Sequence, residues 1–346
     1  MLPKVGLLIG CGSVGKKHAL AMALKYEYIV IVDKDKNIRP WVLANIGVKI
    51  EIFNDLDDVP LIELCGKFNI TAVIATWGPT HLQIFNILVE NGVRRIVCEK
   101  PFANSISSAR EMISKAQEKN VRVVVGVTRR YTKLADFLNQ TLIEYCGGSA
   151  EVIVVSGGAH CVATMGAHWL DLAFQLFGSN AINVIGNLRD QNINPRDKTL
   201  GYWEGSASWE FPNNKFFTIN FTNSSRVASS VEIIGKLGSI TIEPTGDIVV
   251  KSIELNPVER NQPITRTKLA TPVKVIDNMD PFTHFEPFQE LLNIVDGSGE
   301  LPYPLGEVEC VLNALLGAFE SSLLERKISL PIQQGDVGYT RLWNIS

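Results

Sequence analysis

The densest chemistry in the chain is the run Gly10-Cys11-Gly12-Ser13-Val14-Gly15. An apolar run, 5–9, precedes it. A stretch rich in Ala and Leu, 14–25, follows, and Asp33 closes a second apolar run, 28–32. Strand, glycine turn, helix, strand and terminal acid are the parts of a dinucleotide site. Gly10 allows the tight turn, Gly12 lets a pyrophosphate approach the backbone, and Gly15 lets the helix pack on the strand. The pyrophosphate then lies at the positive end of the helix. A carboxylate at Asp33 accepts from the adenosine ribose 2′-OH and repels a 2′-phosphate, which favours NAD over NADP. Lys34 and Lys36 follow directly and soften that rejection.

Three further segments carry candidate groups. In Cys98-Glu99-Lys100-Pro101, after the fifth strand, Lys100 sits where open α/β sheets bind ligands. It is a candidate proton handler or hydrogen-bond donor to a substrate hydroxyl; a surface lysine in a turn is the alternative. Pro101 fits a turn of fixed geometry, sometimes a cis bond. In Thr76-Trp77-Gly78-Pro79-Thr80-His81, His81 falls in the first turn of a helix at the same sheet edge. Thr76, Trp77, His81 and Glu99 are therefore candidate cofactor contacts, with a purely local helix-end role open for His81. In Gly166-Ala167-His168-Trp169-Leu170-Asp171, His168 suits a proton shuttle between alcohol and ketone. Asp171, three residues on, would orient it or bind a substrate hydroxyl; packing on an amphipathic helix is the other reading.

Arg129, Arg130 and Tyr131 follow the sixth strand, at the expected domain junction, and an arginine there suits an anionic group. His160 ranks lower, and His18 and His284 read as structural or exposed. The five histidines show neither HxxxH nor HExxH, so no metal site is expected, and there is no GxSxG elbow.

These groups need a frame. Strand-like runs recur at 48–52, 72–76, 95–98 and 121–127, with helical patterns at 60–68, 81–91 and 107–119. That alternation predicts a doubly wound parallel sheet over residues 1–124. Residues 125–346 read differently. Helices are expected at 133–146 and 166–177, and strands at 151–156, 206–211, 215–222, 230–234, 239–242 and 248–251. Helices at 281–296 and 306–326 close the chain. Strands joined by turns predict an α+β domain with an open, mostly antiparallel sheet. Stretches 187–203 and 254–281 read as long loops. The alternation of Phe217, Ile219 and Phe221 with Thr218, Asn220 and Thr222 leaves one sheet face partly polar, so oligomerisation through it is plausible.

With 346 residues the chain suits two domains, and 46% hydrophobic content supplies their cores. A net charge of −3 with scattered basic residues gives no case for nucleic acid. No apolar run approaches a membrane span, and no signal peptide is evident. Six cysteines without CxxC spacing read as reduced thiols, so a cytoplasmic location is expected.

Together these segments resemble the glucose–fructose oxidoreductase / inositol dehydrogenase (Gfo/Idh/MocA) family. The resemblance rests on Gly10 to Gly15, Thr76 to His81, Glu99-Lys100-Pro101, Arg130-Tyr131 and Gly166 to Asp171. It also covers a tail, 314–331, containing Glu320-Ser321-Ser322. It implies a Rossmann domain followed by an α/β domain, NAD or NADP, and a sugar, cyclitol or nucleotide-sugar substrate. It implies that Lys100 and His168 flank the reacting hydroxyl, His168 as general acid/base, and that homodimers or homotetramers form. One position departs. Where family dehydrogenases often read Asp-x-Gly-x-His, this chain has Thr164-Met165-Gly166-Ala167-His168. Threonine cannot stabilise an imidazolium with a full charge; Asp171 or His160 would compensate, or the proton relay would run differently. The same loss keeps open a member that binds NAD as a sensor.

Overall fold

A strand apolar on both faces must be covered on both, and the first sheet is built from such strands. It contains β1 (Lys4–Ile9), β2 (Tyr28–Val32), β3 (Lys49–Phe53), β4 (Asn69–Ile74), β5 (Arg95–Cys98) and β6 (Arg122–Val125). In this computed structural model, which describes residues 2–158, 160–194, 197–262, 268–276 and 285–345, they form a six-stranded sheet. The order is β3-β2-β1-β4-β5-β6, and every pairing is parallel. Helices α1 (Ser13–Ala23), α2 (Ile38–Asn45), α3 (Leu61–Lys67), α4 (Gly78–Glu90) and α5 (Ile106–Glu118) connect them. The strand order reverses between β1 and β4, and ligands of such sheets bind at the carboxyl ends beside that reversal. Helix α2, absent from the sequence reading, is short, and its Pro40 lies in the first turn, where a missing N–H is tolerated.

The chain divides into two compact units, and neither is contiguous in sequence. The first gathers Met1–Tyr131, Phe285–Leu312 and Gln334–Ser346. The sequence alone suggests one cut at 124/125; the return of the later segments has a physical cause. Helix Glu286–Asp296 is amphipathic, and its Phe288, Leu291, Leu292 and Val295 join Ala19, Met22, Ile29 and Ile31 in one core. At its end Asp296 accepts hydrogen bonds from Thr71 Oγ1 (2.6 Å), Lys4 Nζ (3.0 Å) and Tyr26 OH (3.3 Å). Burial pushes the Asp296 carboxyl up, but the hydrogen bonds from Thr71 and Lys4 and the charges of Lys25 and Lys4 outweigh it, and the net shift is downward.

The second unit, Thr132–His284 with Asn313–Gln333, opens with α6 (Leu134–Tyr145) and α7 (Ala167–Phe177). Its strands are β7 (Ala150–Gly158), β8 (Asn183–Asp190), β9 (Trp203–Phe211), β10 (Lys215–Thr222), β11 (Ser230–Gly235), β12 (Gly238–Ile242), β13 (Ile248–Ser252), β14 (Thr271–Ile276) and β15 (Ile328–Ser329). They form a nine-stranded sheet, β14-β13-β12-β11-β7-β10-β9-β8-β15, antiparallel except where β7 pairs with β10. The open, mostly antiparallel sheet is thus present. Phe217, Ile219 and Phe221 are buried on one face, whereas Thr218 pairs with Ser208 (3.0 Å) and Asn220 with Ser206 (2.5 Å) on the other.

Both stretches read as long loops contain strand. β8 runs on to Asp190, and β14 lies inside 254–281. Pro272 disfavours a strand interior, yet β14 is the sheet's edge, where a residue without N–H is accommodated. The helix expected from 281 begins at Glu286; residues 281–284, His284 included, lie outside the described residues. Among the described residues no helix is long and apolar enough to cross a membrane.

Candidate active site

In the first unit, geometry requires the glycines. Gly10 has φ +89°, and a Cβ there would meet Ala75 O at 2.7 Å. A Cβ on Gly15 would stand 2.1 Å from Gly10 O, so α1 lies directly on the turn. A Cβ on Gly12 would meet nothing within 4 Å. Gly12 is the N-cap of α1 and, as a glycine, offers the first N–H groups of the helix no side-chain cap. That open helix end beside bare backbone suits a pyrophosphate. Cys11 contributes backbone only: its side chain is buried, and burial, then the Asp33 charge, push its thiol up to about 11 against Lys16.

Asp33 directly follows β2, with both oxygens held. Oδ2 accepts from Cys11 N (2.6 Å) and Oδ1 from Asp35 N (2.8 Å). The carboxylate is therefore fixed to the glycine turn itself, where it can accept from a ribose hydroxyl. These residues fit a dinucleotide without a 2′-phosphate.

The turns after β4 and β5 touch each other. A Cβ on Gly78 would meet Pro101 Cγ at 3.2 Å. Trp77 is partly exposed at the head of α4, and Thr80 Oγ1 donates to Thr76 Oγ1 (2.8 Å). The Lys100–Pro101 bond is cis.

His81 does not fit a cofactor contact. It is wholly buried, with Nδ1 3.2 Å from Phe102 O and Nε2 3.3 Å from Thr76 O. Burial holds its pKa below the usual value, although those carbonyls and Glu99 pull the other way. The ring is packed between the two turns and, when neutral, donates its one N–H to a single one of these carbonyls. Sequence spacing located the sheet edge but could not tell a ring facing inward from one facing out.

His18, read as structural or exposed, is fully buried and bonded to Glu99 Oε1 through Nε2 (2.8 Å). Glu99 Oε2 accepts from Lys100 N (3.2 Å). The carboxyl lies against Gly126, where a Cβ would come within 2.6 Å. The pattern Gly15, His18, Met22 on α1, at helical spacing on the buried face, is the signal that would have placed His18 inside.

After β6 a short 3-10 turn, Thr128–Tyr131, carries the arginines. Arg129 is buried. Arg130 pairs with Glu307 (2.9 Å) and lies 3.8 Å over the Tyr303 ring. Tyr131 OH donates to Val125 O (3.0 Å). Arg130 is thus bound to an acid and an aromatic ring of its own unit, which weakens the expectation that it receives a substrate anion.

In the second unit a π-helical turn, Val162–Gly166, leads into α7. Such turns recur at functional sites. Thr164 in it is half-buried, as is His168 in the first turn of α7. Gly166 packs on β10, where a Cβ would stand 3.2 Å from Ile219 Cδ1. Asp171 is wholly buried and accepts from Gln175 Nε2 one turn on (2.8 Å). His160 meets the Phe221 ring edge-on at 5.5 Å. The unit thus gathers Thr164, His168 and Asp171 on one helical run. Among the described residues no group of three or more His, Cys, Asp and Glu could hold a metal ion.

Residues 5–127 match the model of the Gfo/Idh/MocA oxidoreductase family, an NAD-binding Rossmann fold. An uncharacterised oxidoreductase of Schizosaccharomyces pombe is 26% identical over 150 residues. That alignment covers 38% of this chain and 38% of the relative, so the chain spans well under half of that relative's length. Among solved structures, an Agrobacterium radiobacter oxidoreductase in complex with NAD+, L-tartaric acid and magnesium superposes with TM-score 0.69 at 17% identity. It covers 94% of this chain and 98% of that one. The myo-inositol 2-dehydrogenase of Lactobacillus plantarum superposes with TM-score 0.68 at 16% identity, over 96% and 100%. At these identities the likeness is one of fold. What this chain shares with the Gfo/Idh/MocA oxidoreductases is thus the NAD-binding Rossmann fold, matched over residues 5–127.

Proposed function

We propose that this protein is an NAD-dependent dehydrogenase interconverting a secondary alcohol and a ketone on a polyhydroxylated substrate: a sugar, cyclitol or nucleotide-sugar. The observation that carries the reading is in the first unit. An uncapped helix end, a fixed Asp33 and the Lys100 turn all lie at the carboxyl edge of one parallel sheet. Inositol and tartrate complexes or enzymes among the solved relatives support the substrate class.

Gly10, Gly12, Ser13, Val14 and Gly15 would hold the pyrophosphate, Asp33 the adenosine ribose, and Thr76, Trp77 and Lys100 the nicotinamide end. When bound, NAD supplies the hydride acceptor at nicotinamide C4. Lys100 donates a hydrogen bond to the substrate oxygen and stabilises the charge that develops there. His168 takes the hydroxyl proton on its ring, and Asp171 and Thr164 orient that ring. We further propose that the protein acts in the cytoplasm as a homodimer or homotetramer.

The test is NADH absorbance over a panel of sugars, cyclitols and nucleotide-sugars, with Lys100→Ala and His168→Ala beside the wild type. Each substitution is expected to lower turnover about 10²–10⁴-fold with NAD binding retained. Unchanged turnover in both removes the site assignment. Thr164 in place of a family carboxylate favours a second reading, an NAD-binding sensor without chemistry. Tight NAD binding with no hydride transfer across the panel selects it.

A further inference from the structure

We infer that His18 is a positioning residue: through the Glu99 carboxylate it ties the phosphate-binding helix α1 to the backbone of Lys100. The role given to Lys100 rests on the dehydrogenase reading above; the tie itself does not.

Glu99 divides its two oxygens between two elements. Oε1 accepts from His18 Nε2 on α1 at 2.8 Å, and Oε2 accepts from the Lys100 backbone N–H at 3.2 Å. Both acid and imidazole are buried: the side chains are 6% and 0% exposed. Gly126 leaves the space the carboxyl fills, since a Cβ there would sit 2.6 Å from Oε1. Phe288 closes the other side, its ring edge-on to His18 at 4.8 Å. The geometry also selects the tautomer. His18 Nδ1 is buried with no hydrogen-bond partner among the described residues, so the hydrogen that serves the pair is on Nε2.

A buried pair of this kind is a poor source of stability, because well-packed apolar side chains of the same volume do as well. An apolar pair cannot hold an N–H of the turn that carries Lys100. His18 lies one helical turn beyond Gly15, so the helix that faces the pyrophosphate and the turn that bears the lysine move as one piece. A displacement of that turn by about an ångström is enough to lower turnover about 100-fold.

Three variants separate positioning from bulk stability. His18→Leu keeps volume and removes the donor. His18→Gln keeps an amide N–H near the reach of Nε2. His18→Asn stays polar but is too short to reach Glu99, and replaces the leucine variant if that one does not fold. The first readout, in the protein without substrate, is amide hydrogen exchange at Lys100. It is expected to quicken at least about tenfold in His18→Leu and His18→Asn, with β1 and β4 still protected, and to return towards wild type in His18→Gln. The second is turnover on the best panel substrate. There kcat is expected to fall about 10–100-fold while KM for NAD stays within about threefold.

Unchanged exchange at Lys100 in His18→Leu, or in His18→Asn where it stands in, overturns the inference. So does equal impairment of His18→Gln and His18→Leu, or loss of protection spread over β1 and β4. If the wild type turns over nothing on the panel, the dehydrogenase reading fails, and the exchange comparison still decides the tie.

Discussion

Asp296→Ala removes the acceptor at which the late helix Glu286–Asp296 meets the parallel sheet, and its cost can be worked from the neighbours. Thr71 is 1% exposed and Tyr26 2%, so both hydroxyls lose a partner out of reach of water. An unsatisfied buried polar group costs about 1–3 kcal/mol. The Tyr26 bond is the longer, at 3.3 Å, and Thr71 also hydrogen-bonds to Tyr26, so the two losses overlap. Lys4 is half in solvent and adds only a few tenths. The total is about 2–3 kcal/mol, which urea unfolding at pH 7 reads as a lower midpoint at unchanged slope.

The charge-specific part follows from Asp296→Asn. The folded pKa is held below its ordinary value, so the carboxylate's contribution is complete above the unfolded pKa. It disappears as pH falls through the depressed folded value. The gap between wild type and Asp296→Asn is therefore expected to be constant from pH 7 to 5 and to close below about pH 4. Equal midpoints for wild type and Asp296→Ala at pH 7, or a gap that persists at pH 2.5, would refute this account of the helix's docking.

Three other outcomes are expected. In Gly15→Ala the new Cβ must retreat more than an ångström from Gly10 O, opening the phosphate turn, and NADH fluorescence titration should show Kd raised about 10–100-fold; a change within threefold would mean the turn yields elsewhere. Asp33→Asn keeps an acceptor for Cys11 N but removes the charge that repels a 2′-phosphate, so the NAD-over-NADP ratio in the same titration should fall about tenfold or more, and an unchanged ratio would place selectivity in other residues. Thr164→Asp should raise kcat about tenfold by stabilising a protonated His168; a variant no faster than wild type counts against His168 as the proton acceptor.

What could be read from the sequence was what depends on neighbours along the chain. The turn from Gly10 to Gly15 with Asp33 needs only a strand, a helix and a second strand, and each is local. β10 announced its buried face through Phe217, Ile219 and Phe221. Partners far apart were not legible. Nothing in His18 points to Glu99, 81 residues on, until β1 and β5 are placed in one sheet. His81 reads identically whether its ring meets a ligand or two carbonyls. Arg130 looked available for an anion because Glu307 and Tyr303 belong to a stretch that returns from the far end of the chain. β14 was hidden by Pro272, whose tolerance depends on being outermost in the sheet.

The segmented first unit also sets a schedule for synthesis. Residues up to Tyr131 leave the ribosome roughly 150 residues before Phe285, an interval of about 8–30 s at ordinary elongation rates. During that time the side of the nascent sheet domain that will receive Phe288, Leu291, Leu292 and Val295 is bare. A fragment ending at Tyr131 would carry the same exposed apolar surface permanently and should depend on chaperones or aggregate. Completion of the first unit is therefore a late event relative to its own phosphate turn, whose glycines are made long before Phe285.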